Sequence, residues 1–323
     1  MLEDQVKRSA ILWERACSRR SRPGITSKLA PTAVALAVLL FTGCQTRLPP
    51  PIETGVIERT LPDGPIRGLW AKVHLIDPAV EIVTTAALPA DSSNPAGTEA
   101  RLRTVPEWAE AEHTTLAVNA NFFGGVVQPA PGEKDPGWFK GRPVDLRGLS
   151  VSHLTVVSPP RVVAGEGDPA LVFYPDRYAR VARIGPGELH GIMDAVAGMG
   201  RSENGRQPGD FLVTDGRNTG ATAQVQPAVR HPRTAAGLTA DGRTLILVVI
   251  DGRQPGHSIG VTLPELADLM IELGARNAIN LDGGGSSTFI YRRPDGTVLT
   301  NKAPGGTWRP VGNHLGVRVK ATK

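Results

Sequence analysis

Cysteine is nearly absent from this sequence. The 323 residues contain only Cys17 and Cys44, and both lie in an N-terminal segment that has the features of a signal peptide. Apart from these two residues the chain has no thiol. This absence excludes a disulfide framework, a zinc–cysteine site and a cysteine nucleophile from the rest of the protein.

Outside that segment, basic and acidic residues nearly balance. Residues 1–44 hold seven of the 36 Lys and Arg residues and three of the 31 Asp and Glu residues, which leaves a net charge of +1 on residues 45–323. A nucleic-acid-binding protein is therefore disfavoured, because such proteins need many phosphate contacts from basic residues. With 40% hydrophobic and 21% charged residues, the chain has the composition of a folded protein.

No apolar run is long enough to cross a bilayer, which takes roughly 20 residues. Residues 33–41 are all apolar, follow a segment rich in Arg and Lys, and precede Thr42, Gly43 and Cys44. This order is typical of a secretory signal peptide. Thr-Gly-Cys also resembles a bacterial lipobox, which implies a signal peptide at 1–44 and membrane attachment through a lipid on Cys44. Gln45 then suggests the outer membrane, facing the periplasm; the alternative is a signal peptide cleaved elsewhere, with Cys44 incidental.

The remaining chain divides into two parts. Residues 45–66 are proline-rich and predict an extended tether, and residues 67–323 predict one domain. Helix-start signals stand at Thr104 and Thr262, whereas apolar patterning predicts strands near 68–76, 80–85, 116–123, 149–157, 170–183 and 210–214. We therefore predict a strand-rich α+β fold with a large twisted mixed sheet and few helices.

The most informative stretch lies between residues 230 and 292. Residues 245–250 are all apolar, which predicts a strand buried on both faces, and a helix after Thr262 separates it from a second buried strand at 278–281. This order predicts one right-handed β-α-β unit near 244–282 with a parallel strand pair. Asp251 and Asp282 follow the two strands, so we expect both carboxylates in one cleft. Directly paired strands, which we favour, would separate them by roughly 5–7 Å, and an intervening strand by roughly 10 Å.

Several segments, in this order, resemble the phosphodiester glycosidase domain over roughly residues 68–320. They are Val118–Phe123, His231–Gly237, Val249–Arg253, Thr262–Ala267, Asn280–Thr288 and Arg309–Asn313. That family includes a mammalian enzyme that removes N-acetylglucosamine from mannose 6-phosphate tags, and bacterial proteins associated with exopolysaccharide biosynthesis. The resemblance implies a cell-envelope hydrolase, a glycosidase that acts on a sugar-1-phosphodiester in exopolysaccharide or envelope glycan metabolism.

Side chains in these segments suit the cleavage of a sugar–phosphate bond. Arg233 is the first candidate for the phosphate, since its planar fork matches two phosphate oxygens, and we expect it to matter little for folding. Asp251 and Asp282 are candidates for nucleophile, base or sugar-hydroxyl ligand, and complete the predicted catalytic set. Glycine amides, hydroxyl groups and amide side chains could contact phosphate or sugar. The predicted substrate-binding set is Asn119, Arg253, Asn280, Gly283, Gly284, Gly285, Ser286 and Ser287.

Other interpretations of these residues stay open. Arg233 could form a surface ion pair, and Asp251 could simply end a turn. The glycines lack the Gly-Lys-Ser/Thr ending of a nucleotide-binding P-loop, and no Gly-x-Ser-x-Gly elbow indicates a serine hydrolase. Carboxylates could hold a divalent cation, but we predict no metal and no cofactor. The alternative function is a non-catalytic glycan-binding lipoprotein that uses the same cleft.

Overall fold

The computed structural model describes residues 49–127, 129–130, 132–163, 165–199, 210–223 and 225–320. The predicted signal peptide and Cys44 lie outside these residues. Two α-helices are present in the described ranges, α1 (Val105–Ala111) and α2 (Leu263–Glu272), and no helix there is long and apolar enough to cross a membrane.

The described residues also form 21 β-strands. In chain order these are β1 (Ile52–Leu61), β2 (Gly64–His74), β3 (Val80–Thr84), β4 (Ala100–Arg101), β5 (Leu116–Asn119), β6 (Phe123–Gly125), β7 (Pro143–Leu146), β8 (Ser150–Ser152), β9 (Thr155–Ser158), β10 (Val162–Val163), β11 (Glu166–Phe173), β12 (Ala179–Ile184), β13 (Asp194–Ala197), β14 (Val213–Thr214), β15 (Arg217–Asn218), β16 (Arg233–Leu238), β17 (Thr244–Ile250), β18 (Asn277–Asn280), β19 (Phe289–Arg292), β20 (Val298–Thr300) and β21 (His314–Val319).

These strands form four sheets. The largest has the order β1-β2-β17-β16-β18-β14-β15, and a five-stranded sheet has the order β20-β19-β5-β21-β3. A six-stranded sheet follows the path β10-β11-β13-β8-β9 with β12 beside β11, and β4-β7-β6 form the smallest sheet. The prediction of a strand-rich fold with few helices is confirmed. The single large mixed sheet is not, because neighbouring strands within these four sheets pair antiparallel.

Residues 245–250 of strand β17 are all apolar because both faces of the strand are buried. Leu245, Leu247 and Val249 belong to the central core, which also contains side chains of the five-stranded and six-stranded sheets. The alternate residues Ile246 and Val248 belong to a second core that helix α2 covers. Burial on both faces is therefore confirmed, and it comes from layers on both sides of an antiparallel sheet.

Both helices begin where their capping signals predict. Thr104 accepts from the backbone of Glu107 at the start of α1, and Thr262 accepts from the backbone of Glu265 at the start of α2. In both cases the glutamate side chain returns to the cap residue, which satisfies N–H groups that the first helical turn leaves free. The cap at Thr262 fixes where α2 starts after the loop that follows Asp251.

Residues 52–61 form β1 and not part of an extended tether. β1 pairs with β2 over its whole length, from Ile52 opposite Val73 to Leu61 opposite Gly64. The prolines that suggested a tether end at Pro51, and β-branched residues follow them. An Asp-Gly pair at Asp63 and Gly64 is a hairpin signal that marks the turn.

The two strands of the predicted β-α-β unit are not direct neighbours. β16 lies between β17 and β18 and pairs antiparallel with both, so these two strands point the same way with one strand between them. The closer arrangement that the sequence favoured is therefore wrong. Local pattern indicated the order strand, helix and strand, but it contained no signal that β16 would occupy the position between them. The handedness of the connection stays a prediction.

Candidate active site

Three neighbouring strands of the largest sheet bring the predicted catalytic residues to the same end of the sheet. Asp251 follows β17, Asp282 follows β18, and Arg233 begins β16, which runs in the opposite direction. All three residues are therefore at the same end of the sheet. With one strand between them, the positions of Asp251 and Asp282 are roughly 10 Å apart.

Asp282 is a buried carboxyl group beside a glycine-rich turn. Its Oδ1 accepts a hydrogen bond from the backbone N–H of Gly283 (2.9 Å), and its Oδ2 accepts one from the hydroxyl group of Ser286. Burial raises the pKa of Asp282 to about 6, while Arg309 and the two hydrogen bonds oppose this increase. A carboxyl group with such a pKa can exchange a proton near neutral pH.

Arg309 and Ser286 hold this carboxyl group in place. Arg309 Nη2 lies 3.5 Å from Asp282 Oδ2 and donates a hydrogen bond to Ser286 Oγ. The guanidinium carbon lies 6.0 Å from the centre of the Phe123 ring, a cation–π contact. Arg309 Nε is buried and has no hydrogen-bond partner among the described residues, so this side chain retains a donor that a ligand could use.

A second guanidinium group lies against the same turn. A Cβ on Gly284 would come within 3.2 Å of Arg253 Nη1, and a Cβ on Gly285 within 3.2 Å of Arg309 Nη1. The glycines therefore leave room for both arginine side chains. Gly284 also has a φ of +60°, which side-chain-bearing residues rarely adopt. Burial lowers the pKa of Arg309, and the nearby charge of Arg253 lowers it further, although Asp282 raises it. An anion between the two guanidinium groups would relieve their repulsion.

His231 supports Arg253. Arg253 Nε and Nη2 lie 3.3 and 3.1 Å from His231 Nδ1, and His231 Nε2 lies 2.6 Å from Gln226 Oε1. Burial, together with the charges of Arg233 and Arg253, lowers the pKa of His231. The imidazole is therefore neutral at physiological pH, and its partners assign the proton to Nε2, with Nδ1 accepting from the arginine.

Arg233 occupies a different environment from the one the sequence suggested. It is 2% exposed, and burial, followed by the charge of Arg253, lowers its pKa to about 10. Its guanidinium donates at 2.9–3.4 Å to four backbone carbonyl oxygens, those of Val225, Gln226, Val229 and Val261. Because these donors are bound to the chain, Arg233 holds the loop that leads to His231 and presents no open fork to a phosphate.

Asn119 is fully buried and joins several segments. Its Oδ1 accepts hydrogen bonds from Thr234 Oγ1 (2.8 Å) and from the backbone N–H of Thr288 (3.1 Å), and its Nδ2 donates to the carbonyl oxygen of Asp282. This environment favours a structural role, fixing the backbone at Asp282, over the predicted contact with a sugar hydroxyl group.

Asp251 is also engaged by protein groups. Its Oδ1 accepts from Asn301 Nδ2 (2.9 Å) and from the backbone N–H of Lys302 (3.1 Å), and its Oδ2 lies 2.8 Å from His257 Nε2. Asn301 Nδ2 also donates to the carbonyl oxygen of Ser287 (3.2 Å), which connects Asp251 to the turn after Asp282. Both carboxylate oxygens therefore have partners within the protein, and the contact with Asn301 places Asp251 to position the turn.

Two more predicted residues differ in their surroundings. Ser287 is buried, and its Oγ has no hydrogen-bond partner within the described ranges, so it could bind a ligand at the turn. Asn280 Oδ1 also lacks a partner there, but Asn280 lines a small cavity with Gly198 and Met199. The structure thus brings together one part of the predicted set: Asp282, Arg253, Gly283, Gly284, Gly285, Ser286 and Ser287.

Sequence reasoning assigned no role to Arg309, His231 or Asn301. The first two lie in segments that support the family resemblance, yet both are distant from Asp282 along the chain, and no local spacing connects them to it. In the part of the chain that the structure describes, no cluster of three His, Cys, Asp or Glu side chains could hold a metal ion. The expectation of no cofactor stays a prediction.

Most of the strands described above lie within the range of a known family model. The phosphodiester glycosidase model matches residues 114–318, more than half of the chain, so the protein belongs to the phosphodiester glycosidase family. Membership confirms the resemblance seen in the sequence.

Individual relatives are more distant. The SPbeta prophage-derived uncharacterized protein YomE of Bacillus subtilis is 29% identical over 207 residues, which are 62% of this chain and 28% of that protein. Human N-acetylglucosamine-1-phosphodiester alpha-N-acetylglucosaminidase is 35% identical over 77 residues, 24% of this chain and 14% of the enzyme. This chain therefore spans less than a third of the length of either relative.

A solved structure shares the fold. The catalytic domain of zebrafish N-acetylglucosamine-1-phosphodiester alpha-N-acetylglucosaminidase, auto-inhibited by its pro-peptide, matches with a TM-score of 0.57. The match covers 85% of each chain at 19% sequence identity. At this identity the likeness establishes a common fold, and the chemistry has to be argued from the side chains of this chain.

Proposed function

We propose that this protein is a glycosidase that hydrolyses the bond between the anomeric carbon of a sugar and an oxygen of a phosphodiester. One observation carries the proposal. Arg253 and Arg309 lie against adjacent glycines of the turn after Asp282, whose pKa is raised to about 6. The reaction needs cationic groups for the phosphate and a carboxyl group near the bond that breaks, and this turn supplies both.

The two arginines are the proposed phosphate ligands. Each guanidinium group can donate two parallel hydrogen bonds to phosphate oxygens. Arg309 Nε and Ser287 Oγ, which have no partner among the described residues, would add donors at the same turn. Arg253 and Arg309 therefore replace Arg233 in this role, because the donors of Arg233 are used by the loop that it holds.

Asp282 is the proposed proton donor. Its carboxyl group lies beside Arg309, so it would lie next to the bound phosphate. The departing phosphomonoester has a second pKa near 6, close to that of Asp282, and proton transfer between groups of matched pKa costs little free energy. The bond from the anomeric carbon to the phosphate oxygen breaks, and the proton of Asp282 goes to that oxygen. A water molecule supplies the hydroxyl group of the released sugar, and its other proton returns to the Asp282 carboxylate.

Asp251 is the proposed positioning residue. The roughly 10 Å between the positions of Asp251 and Asp282 exceeds the 5 Å or so of retaining glycosidases and is nearer the range of about 6.5–9.5 Å in inverting ones. Both carboxylate oxygens of Asp251 are, however, engaged by protein groups. Its contacts with Asn301 and Lys302 instead support the turn that carries Ser287. Its replacement is therefore expected to affect the geometry of the site and not a chemical step.

Turnover of defined diesters tests the proposal. The full-length protein is incubated with the methyl phosphodiesters of glucose-1-phosphate, N-acetylglucosamine-1-phosphate, mannose-1-phosphate and galactose-1-phosphate, and the release of reducing sugar is followed. We expect release from at least one diester by the parent, and at least a hundredfold slower release by the Asp282→Asn variant. Binding of a diester without release would favour the alternative, a glycan-binding protein that uses the same site.

We further propose that a lipid on Cys44 attaches the protein to the outer membrane. The short apolar run and the Thr-Gly-Cys sequence support this location, and a diacylated cysteine carries enough hydrocarbon for stable anchoring. The Cys44→Ala variant, expressed in a Gram-negative host, should leave the membrane fraction. Equal partitioning of the variant and the parent into membranes would contradict the lipid anchor.

A further inference from the structure

A cavity of about 240 Å³ lies at the other end of the sheets from Asp282. Strand β21 gives the separation, because His314 at its start pairs with Asn119, whereas Val319 at its end pairs with Val80, which lines the cavity. Five residue steps of about 3.3 Å place these two ends roughly 17 Å apart. The cavity is therefore distinct from the candidate active site.

The turn between β11 and β12 gives this cavity aromatic walls. Phe173, Tyr174 and Tyr178 line it, and the rings of Tyr174 and Tyr178 stack with their centroids 6.2 Å apart. Tyr178 is 38% exposed, and the guanidinium carbon of Arg243 lies 5.8 Å from the centre of its ring. The electron-rich face of an aromatic ring attracts C–H groups with partial positive charge, such as those on one face of a pyranose ring.

One acidic side chain, Asp194, supplies an open hydrogen-bond acceptor in the same cavity. Glu81 also lines the cavity, but its Oε1 lies 3.1 Å from Arg318 Nη1 and its Oε2 lies 2.8 Å from Lys320 Nζ. Asp194 is 2% exposed, and its Oδ1 accepts from Thr84 Oγ1 (3.1 Å) and from the backbone N–H of His153 (3.2 Å). The described residues form no hydrogen bond to Asp194 Oδ2. The imidazole of His153 lies 3.8 Å from Glu81 and 3.9 Å from Asp194. Carboxylates accept and do not donate, so they suit a ligand that carries hydroxyl groups.

The lysine and arginine of the lining are already used by the protein. Arg177 Nη1 donates to the carbonyl oxygens of Asp77 (2.8 Å) and Val80 (3.0 Å), and Lys320 Nζ pairs with Glu81 at 2.8 Å. These two are the permanently cationic side chains among the described lining residues, and neither is free to bind an anion. A neutral ligand therefore fits the cavity better than a phosphate does.

The backbone around the cavity is strained. His153, Leu154 and Arg177 have φ values of +48°, +66° and +64°, although none of them is glycine. Such conformations cost on the order of 1–3 kcal/mol each and persist where surrounding contacts fix them, often at ligand sites. Two of the three residues, His153 and Arg177, line the cavity itself.

We propose that this cavity is a second carbohydrate-binding site, which takes one neutral pyranose ring with one side against the aromatic wall of Tyr174 and Tyr178 and a hydroxyl group on Asp194 Oδ2. The proposal rests on the cavity alone and does not depend on hydrolysis at Asp282. A cavity of this volume accommodates a single ring, somewhat below the size of drug-like ligands. A polymeric glycan could then be held at one sugar unit while another unit occupies the opposite end of the protein.

Calorimetric titration of the full-length protein tests this site. The probes are glucose, N-acetylglucosamine, mannose and galactose, each at millimolar concentration. We expect at least one of them to bind the parent, and the Tyr178→Ala variant to bind it at least tenfold more weakly. The Asp194→Asn variant, which keeps the shape of the side chain, should weaken the same binding. Because Tyr178 is partly exposed, its replacement should leave the melting temperature close to that of the parent.

Two control variants separate this cavity from other surfaces. The Phe139→Ala variant removes an aromatic residue that is 51% exposed and lies outside the cavity, so it should bind the sugar as the parent does. The Asp282→Asn variant should also keep this binding, since the two sites are at different ends of the sheets. No binding of any of the four sugars, unchanged affinity in Tyr178→Ala, or loss of binding in Asp282→Asn would each overturn the proposal.

Discussion

Arg309 Nη2 lies 3.5 Å from Asp282 Oδ2, and the two side chains share the hydroxyl group of Ser286. Burial raises the pKa of Asp282 to about 6, and the guanidinium group limits this increase. The same arginine lies against Gly285, where we propose that phosphate binds. Proton transfer and phosphate binding are therefore connected through one side chain.

This connection predicts how activity depends on pH. If Asp282 donates a proton, kcat/KM should fall as pH rises through about 6. The Arg309→Gln variant loses the charge that lowers the pKa of Asp282, so the fall of its kcat/KM should occur at a pH higher by about half a unit or more. The Arg253→Gln variant serves as the control, and its kcat/KM should fall at the same pH as that of the parent. A fall at the parent's pH in Arg309→Gln would show that Asp282 does not determine the pH dependence of kcat/KM.

The raised pKa also predicts how stability depends on pH. Between about pH 4 and 6 the folded protein keeps a proton on Asp282 that the unfolded chain releases, so the free energy of unfolding of the parent falls as pH rises through this window. The Asp282→Asn variant cannot ionise there. Relative to the parent, it should gain on the order of 2–3 kcal/mol between pH 4 and 8, measured by denaturant unfolding. Parallel stability curves would contradict a raised pKa at Asp282.

Arg253 is expected to act on the substrate phosphate. The Arg253→Gln variant should raise KM for the diester by about tenfold or more and should weaken inhibition by inorganic phosphate, because one guanidinium contact is lost. The Arg253→Lys variant keeps the charge without the fork and should recover part of the affinity. Arg293 is an exposed arginine in the turn after β19 and provides the control, since Arg293→Gln should behave as the parent. Equal KM values for Arg253→Gln and Arg293→Gln would remove Arg253 from the phosphate site.

Arg233 is expected to act on stability, in contrast to the prediction from sequence. The Arg233→Gln variant leaves carbonyl oxygens of the 225–229 loop without their donors, which should cost on the order of 1–3 kcal/mol of unfolding free energy. The nearby Arg230 bonds mainly to Glu265 and is more exposed, so Arg230→Gln should cost about 1 kcal/mol or less. Chemical denaturation of the three proteins measures these differences. A fully stable but inactive Arg233→Gln variant would restore the phosphate role.

Local signals in the sequence predicted local structure well. The capping residues Thr104 and Thr262 act within one helical turn, so both helix starts could be predicted. The position of β16 between β17 and β18 depends on which strands meet across the sheet, and the pattern of each strand alone does not specify this. The separation of Asp251 and Asp282 was therefore predicted too short.

The candidate site was predictable only where its residues are close together in the sequence. Asp282 and its glycines form one continuous segment, and their sequence indicated a turn that could bind an anion. The partners of Arg233 are backbone carbonyl oxygens, which no side-chain pattern reveals. Arg309 reaches Asp282 only through the fold, so its role became visible in the structure and not in the sequence.

The position of the cleaved bond tests the central claim most directly. Hydrolysis of an accepted sugar-1-phosphodiester in ¹⁸O-labelled water incorporates the label into whichever product water attacks, and mass spectrometry of the sugar together with ³¹P NMR of the phosphate locates it. A glycosidase that uses Asp282 and the two arginines as proposed places the label on the anomeric carbon of the released sugar. Label in the phosphate product would show cleavage of the phosphorus–oxygen bond and would contradict this account.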